Sequence, residues 1–91
     1  MIQATTTIVF KVGLHARPAG KFVKLAKSFP CSIKIKNLTR DGEEVDAKSL
    51  VKVIKIACAH QHQVQLTFDG EQEDQARDGI LSFLADPSED E

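Results

Sequence analysis

The sequence predicts an α+β fold, a two-layer open-faced sandwich in which a four-stranded antiparallel sheet carries three helices on one face. Three stretches alternate apolar and polar residues, as half-buried strands do, and an Asp-Gly turn adds a short fourth strand. Three other stretches repeat apolar residues at helical spacing, which gives the order β-α-β-β-α-β-α. With 91 residues, the chain is long enough for one domain around one core.

The first strand and the first helix flank a short loop. The predicted strand spans Met1–Phe10, where residues 2, 4, 6, 8 and 10 share one face. The helix begins near Ala16, because Pro18 is tolerated in the first turn of a helix but not inside it, and it ends before Pro30. Its predicted buried face consists of apolar residues at helical spacing, namely Phe22, Leu25, Ala26 and Phe29.

The middle of the chain predicts two strands and a helix. The second strand covers Cys31–Lys36, and an Asp41-Gly42 turn leads to a short third strand around Glu43–Val45. A second helix over Leu50–Ala57 follows, because the apolar residues at 50, 53, 54 and 57 share one helical face. Two further apolar residues lie outside that face, so periodicity alone leaves a buried strand open for this segment.

The last third of the chain predicts a strand, a helix and a tail. Gln63–Phe68 alternates and ends at an Asp-Gly pair, and Glu71–Ala85 places acidic residues early, where they suit the helix dipole. We therefore expect the domain to span residues 1–85. Residues 86–91 form an acidic, proline-interrupted tail that we expect not to pack.

Composition excludes several classes of function. The net charge of −1 gives no basic field for a nucleic acid, and no apolar run approaches the length needed for membrane insertion. The first residues lack the charged and then apolar pattern of a secretory leader, so we expect the protein in the cytoplasm. Cys31 and Cys58 are then expected to be reduced thiols.

The loop before the first helix carries the strongest chemical signal. Residues 13–20 read Gly-Leu-His-Ala-Arg-Pro-Ala-Gly, which places His15 immediately before a helix start. The first turn of a helix offers unpaired N–H groups and a partial positive charge, and Arg17 adds a guanidinium group that matches phosphate geometry. An imidazole nitrogen at this position can act as a nucleophile toward phosphorus. An ordinary surface or capping histidine is the alternative.

A second group of candidate ligands lies before the last strand. Cys58, His60 and His62 would point to the same side of an extended strand, as the ligands of a soft metal ion can. No fourth ligand lies nearby in the sequence, so a chance cluster at a helix-to-strand junction is the preferred interpretation. We therefore predict no metal site.

The histidine loop resembles the active-site segment of the HPr family. Its run Gly-Leu-His-Ala-Arg-Pro-Ala continues as Lys-Phe-Val after one glycine, early in a short chain, and the predicted element order is similar to the HPr fold. HPr is the histidine-containing phosphocarrier of the bacterial phosphoenolpyruvate-dependent sugar phosphotransferase system. The resemblance implies that His15 accepts a phosphoryl group on Nδ1 from enzyme I and donates it to IIA domains for carbohydrate uptake. It also implies a monomeric carrier, not an enzyme, without cofactor or metal, whose phosphohistidine is stabilised by Arg17 and the Ala16 amide.

Ser49 is a second candidate site. The segment Lys48-Ser49-Leu50 matches the HPr segment in which a serine is phosphorylated by the HPr kinase/phosphorylase of some bacteria. The resemblance therefore implies a regulatory role for Ser49, where a phosphate would suit the helix N-terminus and add negative charge to a docking face. A plain helix-capping hydroxyl group is the alternative interpretation.

The second helix also resembles the surface with which HPr proteins dock their partners, through Leu50, Val51 and Ile54. These residues could instead be core, but apolar residues more than halfway round a helix cannot all face one sheet. Four lysines on the two helices would form a charged rim for acidic partners, namely Lys24, Lys27, Lys52 and Lys55. Lysines that are simply solvated are the alternative.

Four features depart from the family pattern and leave other functions open. The hairpin after the second strand is longer than is common in HPr, and Lys52 and Lys55 make the second helix more basic than in many relatives. Ala57 stands where glycine is frequent, and the acidic tail is extra. The alternatives are a nitrogen- or stress-regulatory HPr paralogue with other partners, and a regulatory binding module that never transfers phosphate. A small metal- or RNA-binding domain is disfavoured, because the sequence lacks a closed ligand set and aromatic residues for an exposed strand face.

Overall fold

The computed structural model describes residues 1–86, so residues 87–91 of the predicted tail lie outside the described part and the boundary after residue 85 stays a prediction. The elements follow the predicted order. They are β1 (Ile2–Thr7), α1 (Ala16–Lys27), β2 (Ser32–Asn37), β3 (Val45–Asp46), α2 (Leu50–Lys55), β4 (Gln63–Asp69) and α3 (Glu73–Leu84). Because the segment after residue 49 is helical, the strand alternative for it is wrong.

The four strands form one antiparallel sheet in the order β1-β4-β2-β3. On one side of β4, Ile2 pairs with Phe68 and Thr7 with Gln63. On its other side, β4 pairs with β2 along the whole length of β2. Apolar residues alternate with threonine, glutamine and lysine along these strands, so one face of the sheet is apolar and the other polar. The helices cover the apolar face, which confirms the predicted two-layer fold.

The core lies between the apolar face of the sheet and the helices. Phe83 of α3 joins the layers, because its ring centroid lies 5.6 Å from that of Phe10 and 6.3 Å from that of Phe22. Phe10 precedes the histidine loop and Phe22 belongs to α1, which follows it. This aromatic cluster therefore anchors both sides of the loop in the core.

The buried face of α1 is rotated slightly from the predicted one. Phe22 and Ala26 are buried as predicted, whereas Leu25 and Phe29 are only partly buried. The face is completed by three residues that the prediction left out, namely Pro18, Ala19 and Val23. Helix α1 also ends at Lys27, a little before the predicted limit at Pro30.

The strands β1 and β3 begin or end at other residues than the sequence predicts. The alternation of residues 1–10 is confirmed, since Ile8 and Phe10 are buried, but β1 ends at Thr7. Beyond Thr7 the Ile8 amide still donates to the His62 carbonyl at 2.9 Å, but the Ile8 carbonyl accepts from Gln61, whose backbone is left-handed with φ 69°, so the regular ladder ends there. The third strand is β3, Val45–Asp46, so its predicted range of 43–45 is shifted.

The connection between β2 and β3 is longer than a tight Asp-Gly turn. Asp41, rather than Gly42, has the left-handed backbone, with φ 52°. The Gly42 amide donates to the Asn37 carbonyl at 3.1 Å, and the Arg40 amide donates to Asn37 Oδ1 at 3.2 Å. The loop therefore folds back on the end of β2 before the chain reaches β3.

Two helices are shorter than predicted because neighbouring residues have left-handed backbones. Helix α2 ends at Lys55 instead of Ala57, whose φ is 51° and whose amide donates to the Ile54 carbonyl at 3.0 Å. Helix α3 begins after Gln72, whose φ is 63°, instead of at Glu71. A residue with φ above zero cannot continue a right-handed helix, so these positions set the limits.

The described part of the chain contains two buried cysteines and no candidate membrane span. Among residues 1–86, no helix is both long enough and apolar enough to cross a bilayer. Cys31 and Cys58 are buried free thiols. Burial raises the pKa of the Cys58 thiol to about 12, so this thiol stays protonated and unreactive at neutral pH.

A glycine at position 57 should stabilise the fold. A left-handed backbone costs a residue with a Cβ atom about 1 kcal/mol, and glycine avoids this cost. We expect Ala57→Gly to raise the free energy of unfolding by about 1 kcal/mol, measured by urea denaturation.

The reverse exchange at Gly20 is the matched control. Gly20 lies inside α1, and apart from its chain neighbours and the helix's own backbone no atom lies within 4 Å of the place where its Cβ would stand. Gly20→Ala should therefore raise the free energy of unfolding by about 0.5–1 kcal/mol, because glycine is unfavourable inside a helix. A fall in the urea midpoint of Ala57→Gly, beside a rise for Gly20→Ala, would contradict strain at Ala57.

Candidate functional site

His15 is the N-cap residue of α1. Its backbone is extended, with φ −89° and ψ −172°, and its Nδ1 accepts a hydrogen bond of 2.8 Å from the Ala16 amide. Its carbonyl oxygen accepts the first hydrogen bond of the helix, also 2.8 Å long, from the Ala19 amide. The predicted helix start at Ala16 is confirmed, and the imidazole itself satisfies one of the free amides of the first turn.

This hydrogen bond fixes which ring nitrogen of His15 carries a lone pair. A backbone N–H can only donate, so Nδ1 is unprotonated and a neutral ring has its proton on Nε2. His15 is exposed. The lone pair of Nδ1 therefore lies at the positive end of a helix, beside an amide that can also donate to an anion.

Backbone contacts hold the loop before His15 against the turn that follows α2. The Leu14 amide donates to the Cys58 carbonyl oxygen at 2.8 Å, and the Leu14 side chain is buried. Gly13 has φ 71°, and a Cβ atom there would overlap the Cys58 carbonyl oxygen and lie 2.8 Å from Ala59 Cα. Position 13 therefore requires glycine both for its left-handed backbone and for this close approach.

The two histidines near Cys58 make separate structural contacts. His60 Nδ1 lies 3.1 Å from the Phe10 carbonyl oxygen and so donates to it, whereas His62 Nδ1 accepts from the Ala59 amide at 3.1 Å. The segment is a turn before β4, so the extended strand assumed for a shared metal site is wrong. Within the described chain, no group of three or more His, Cys, Asp or Glu side chains could hold a metal ion.

Positive charge lies along both helices next to the site. Arg17 is exposed in the first turn of α1 and makes no hydrogen bond or ion pair with another described residue. Lys24 and Lys27 are exposed on the same helix, roughly 12 and 17 Å along its axis from Ala16. Of these cations, only Arg17 shares the first turn with the histidine. The two lysines of α2, at positions 52 and 55, are also exposed.

An apolar depression lies beside His15. It is lined by residues of the histidine loop, of α2 and of the turn after it, namely Val12, Leu14, Ile54, Ala57, Cys58 and Ala59. Leu50, Val51 and Ile54 are 42 %, 75 % and 39 % exposed, whereas Val53 is the buried residue of α2. The expectation that α2 leaves apolar side chains exposed is confirmed, and their docking role stays a prediction.

Ser49 is the N-cap residue of α2. Its Oγ accepts a long hydrogen bond of 3.5 Å from the Lys52 amide, so the capping role is confirmed and the regulatory role stays a prediction. The neighbouring Lys48 is half-buried, and its Nζ donates to the carbonyl oxygens of Phe29 and Cys31 at 2.8 and 2.7 Å. The start of α2 is thereby attached to the chain between α1 and β2.

The family model for the PTS HPr component phosphorylation site matches residues 2–86. The chain belongs to the HPr family. As a member of it, the protein is a phosphocarrier of the phosphotransferase system, whose partners are enzymes of that system. It is similar to the phosphocarrier protein HPr of Cupriavidus necator, with 40 % identity over 85 residues that cover 93 % of this chain and 92 % of that protein.

Other HPr relatives agree in sequence and in fold. A multiphosphoryl transfer protein of Vibrio cholerae is 48 % identical over 67 residues, which cover 74 % of this chain but 17 % of that longer protein. The crystal structure of an HPr from Thermoanaerobacter tengcongensis superposes with a TM-score of 0.88 at 30 % identity. The superposition covers 99 % of this chain and 96 % of that one. The predicted fold and the resemblance to HPr are therefore confirmed.

Sequence reasoning missed two groups that support the histidine loop. The Cys58 carbonyl gives no sequence signal, because every residue has such a group. Asn37 is fully buried at the end of β2, and its signal was its place in the alternation, directly after Ile33 and Ile35 on the apolar side. A polar residue on a buried strand face needs hydrogen-bond partners inside the protein.

Replacing Gly13 should disturb the site and the fold together. Gly13→Ala forces a Cβ atom into the backbone of the turn after α2, where no flexible side chain can move aside. We expect the free energy of unfolding to fall by about 2 kcal/mol and the NMR signal of the Ala16 amide to shift. Gly42→Ala is the control, because its Cβ would lie no closer than 4.0 Å to Asn37 O. Equal stability of the two variants would contradict the close approach at Gly13.

Proposed function

We propose that His15 accepts a phosphoryl group on Nδ1 from phosphorylated enzyme I and donates it to IIA domains for carbohydrate uptake. The supporting observation is the 2.8 Å hydrogen bond from the Ala16 amide, which holds the lone pair of an exposed imidazole at the positive end of α1. In this proposal, the chain is a cytoplasmic carrier with a transient phosphohistidine and needs no cofactor.

With His15 as the N-cap residue, the phosphoryl transfer needs no rearrangement of the ring protons. The Nδ1 lone pair forms the new bond to phosphorus as the bond to the donor breaks, and the ring proton stays on Nε2. The Ala16 amide, freed from Nδ1, then donates to a phosphoryl oxygen. Arg17 in the same turn supplies a cation with matching geometry.

Exposure of the site suits a carrier that must release its phosphoryl group. An ion pair with a solvent-exposed guanidinium contributes at most about 1 kcal/mol, far less than a buried pair can. Arg17 therefore stabilises the phosphohistidine without trapping it. A carrier reacts with a donor and then with an acceptor. Weak stabilisation of the phosphohistidine therefore keeps the free-energy barriers of both transfers low.

The apolar residues beside His15 suit docking of both partners at one surface. Leu50, Val51 and Ile54 provide an exposed apolar patch, and the lysines of α1 and α2 provide a rim that attracts acidic partners. A partner seated on α2 brings its reacting group next to the imidazole. We propose that the chain acts as a monomer, because both partners need this patch free.

Phosphorylation in vitro tests the proposal. After incubation with phosphoenolpyruvate and enzyme I, we expect the intact chain to gain the mass of one phosphoryl group, located at His15 by fragmentation. A IIA domain added afterwards should remove it. His15→Ala should gain no mass, since no other exposed histidine has its Nδ1 at a helix start.

Two outcomes would count against the carrier. A regulatory module that only binds would associate with enzyme I and gain no mass. A phosphoryl group located at His60 or His62 would show that the N-cap geometry does not select the acceptor.

We further propose that HPr kinase/phosphorylase phosphorylates Ser49. The Oγ is held only by a 3.5 Å hydrogen bond and lies directly before the exposed patch that begins with Leu50. A phosphate adds a charge of about −1.5 to −2 and can still accept from the first-turn amides of α2. The fold is then kept, while negative charge appears next to the surface that receives acidic partners.

A charge at position 49 should therefore weaken docking. We expect Ser49→Asp to raise the KM of enzyme I for this chain by roughly tenfold, which corresponds to about 1.4 kcal/mol, with little change in kcat. Ser49→Asn is the matched control, because asparagine caps a helix equally well without charge. Identical KM values for the two variants would contradict the electrostatic role of this position.

A further inference from the structure

Asn37, at the end of β2, is a fully buried polar side chain that the phosphoryl chemistry does not use. Its exposed fraction is 0 %, and it lies on the apolar side of the sheet among core residues. Burying an amide is costly unless its donors and acceptors are paired. The partners of Asn37 therefore indicate what the residue holds in place.

The Asn37 side chain makes four polar contacts, and these show which atom of its amide group is the oxygen and which is the nitrogen. Oδ1 accepts from the Arg40 amide at 3.2 Å, and Nδ2 lies 3.2 Å from the Ile56 carbonyl oxygen and 3.4 Å from that of Ala57. Because carbonyls only accept, the nitrogen must face the turn after α2. Nδ2 also lies 3.2 Å from His62 Nδ1 and donates to it.

His62 extends this network to the peptide that receives the histidine loop. Its Nδ1 also lies 3.1 Å from the Ala59 amide, so the single lone pair of this nitrogen is shared by two donors. The Ala59 amide and the Cys58 carbonyl belong to one planar peptide unit and point in opposite directions. That carbonyl accepts from the Leu14 amide at 2.8 Å. One side of the peptide is therefore held by His62, and the other side holds the residue before His15.

We propose that Asn37 and His62 are positioning residues for phosphoryl transfer. Through the peptide between Cys58 and Ala59, these two side chains determine the position of the His15 loop. The proposal rests on the function of His15 as the phosphoryl acceptor. Neither residue is in hydrogen-bond contact with the His15 ring. Asn37 and His62 act by determining the position of the His15 Nδ1 atom. A displacement of about 1 Å in a reacting group can slow a reaction about a hundredfold.

Burial distinguishes this role from docking. Asn37 has no exposed surface, and His62 is half-buried on the side of the peptide away from Leu14. Neither residue lines the apolar depression beside His15. Changing them should therefore alter the rate constant of transfer and leave the affinity for enzyme I unchanged.

Three variants separate the hydrogen bonds from the bulk of the side chains. Asn37→Asp has the same shape and keeps an acceptor for the Arg40 amide, but it loses the N–H donors. His62→Leu removes the acceptor for the Ala59 amide. His62→Asn places an amide oxygen where Nδ1 stands, so it retains that acceptor.

Enzyme kinetics and NMR provide the readouts. With enzyme I and phosphoenolpyruvate, we expect Asn37→Asp and His62→Leu to lower kcat about ten- to a hundredfold at unchanged KM. His62→Asn should keep the rate of the unaltered chain. The NMR signals of the His15 ring nitrogens and of the Ala16 amide should shift in the first two variants only.

A core variant compared at the same fraction folded excludes a general loss of folding. Ile33→Val removes a methyl group from the core at the opposite end of β2, away from the network. Equal kcat for Asn37→Asp and Ile33→Val at the same fraction folded, or equal kcat for His62→Leu and His62→Asn, overturns the proposal. If the unaltered chain gains no phosphoryl group, the proposed function fails instead, and the NMR signals still decide whether the network positions the loop.

Discussion

Both the start of helix α1 and the proposed reactivity of His15 depend on one hydrogen bond, which runs from the Ala16 amide to His15 Nδ1 and is 2.8 Å long. It caps α1, it fixes the ring tautomer, and it places a lone pair at the positive end of the helix. Because the same amide can donate to Nδ1 before transfer and to a phosphoryl oxygen afterwards, the site needs no large rearrangement in our proposal. In the same proposal, the exposed Arg17 adds positive charge without enclosing the phosphoryl group.

Buried aromatic rings and backbone hydrogen bonds support the loop that carries His15. Phe83 packs against aromatic rings on both sides of the histidine loop, His60 holds the carbonyl of Phe10 at its beginning, and the Cys58 carbonyl holds its end. These supports are mostly backbone groups and buried rings, while the imidazole itself is exposed. In our proposal, packed and hydrogen-bonded support beneath an exposed nitrogen suits a protein that presents this atom to different partners in turn.

Much of the fold could be predicted from the sequence, because alternation and helical spacing are determined by which faces are buried. The helix start at Ala16 followed from Pro18, and the site followed from the motif around His15. The ends of elements were less predictable, since Ala57 and Gln72 have left-handed backbones although their residue types do not favour this conformation. The alternation of β2 places Asn37 on the buried face, but no sequence pattern indicates its contacts with the carbonyl oxygens of Ile56 and Ala57, which are distant in sequence.

The central proposal is that Nδ1 of His15 is the nitrogen that carries phosphate, and it is supported by membership of the HPr family and by the geometry at the start of α1. The most direct measurement is NMR of the chain with 15N-labelled histidine, before and after phosphorylation by enzyme I. The free, neutral ring should have its proton on Nε2, and the phosphorylated ring should show phosphorus coupling to Nδ1, with the Ala16 amide still hydrogen-bonded. A proton on Nδ1 of the free neutral ring, or phosphorus on Nε2, would contradict the claim.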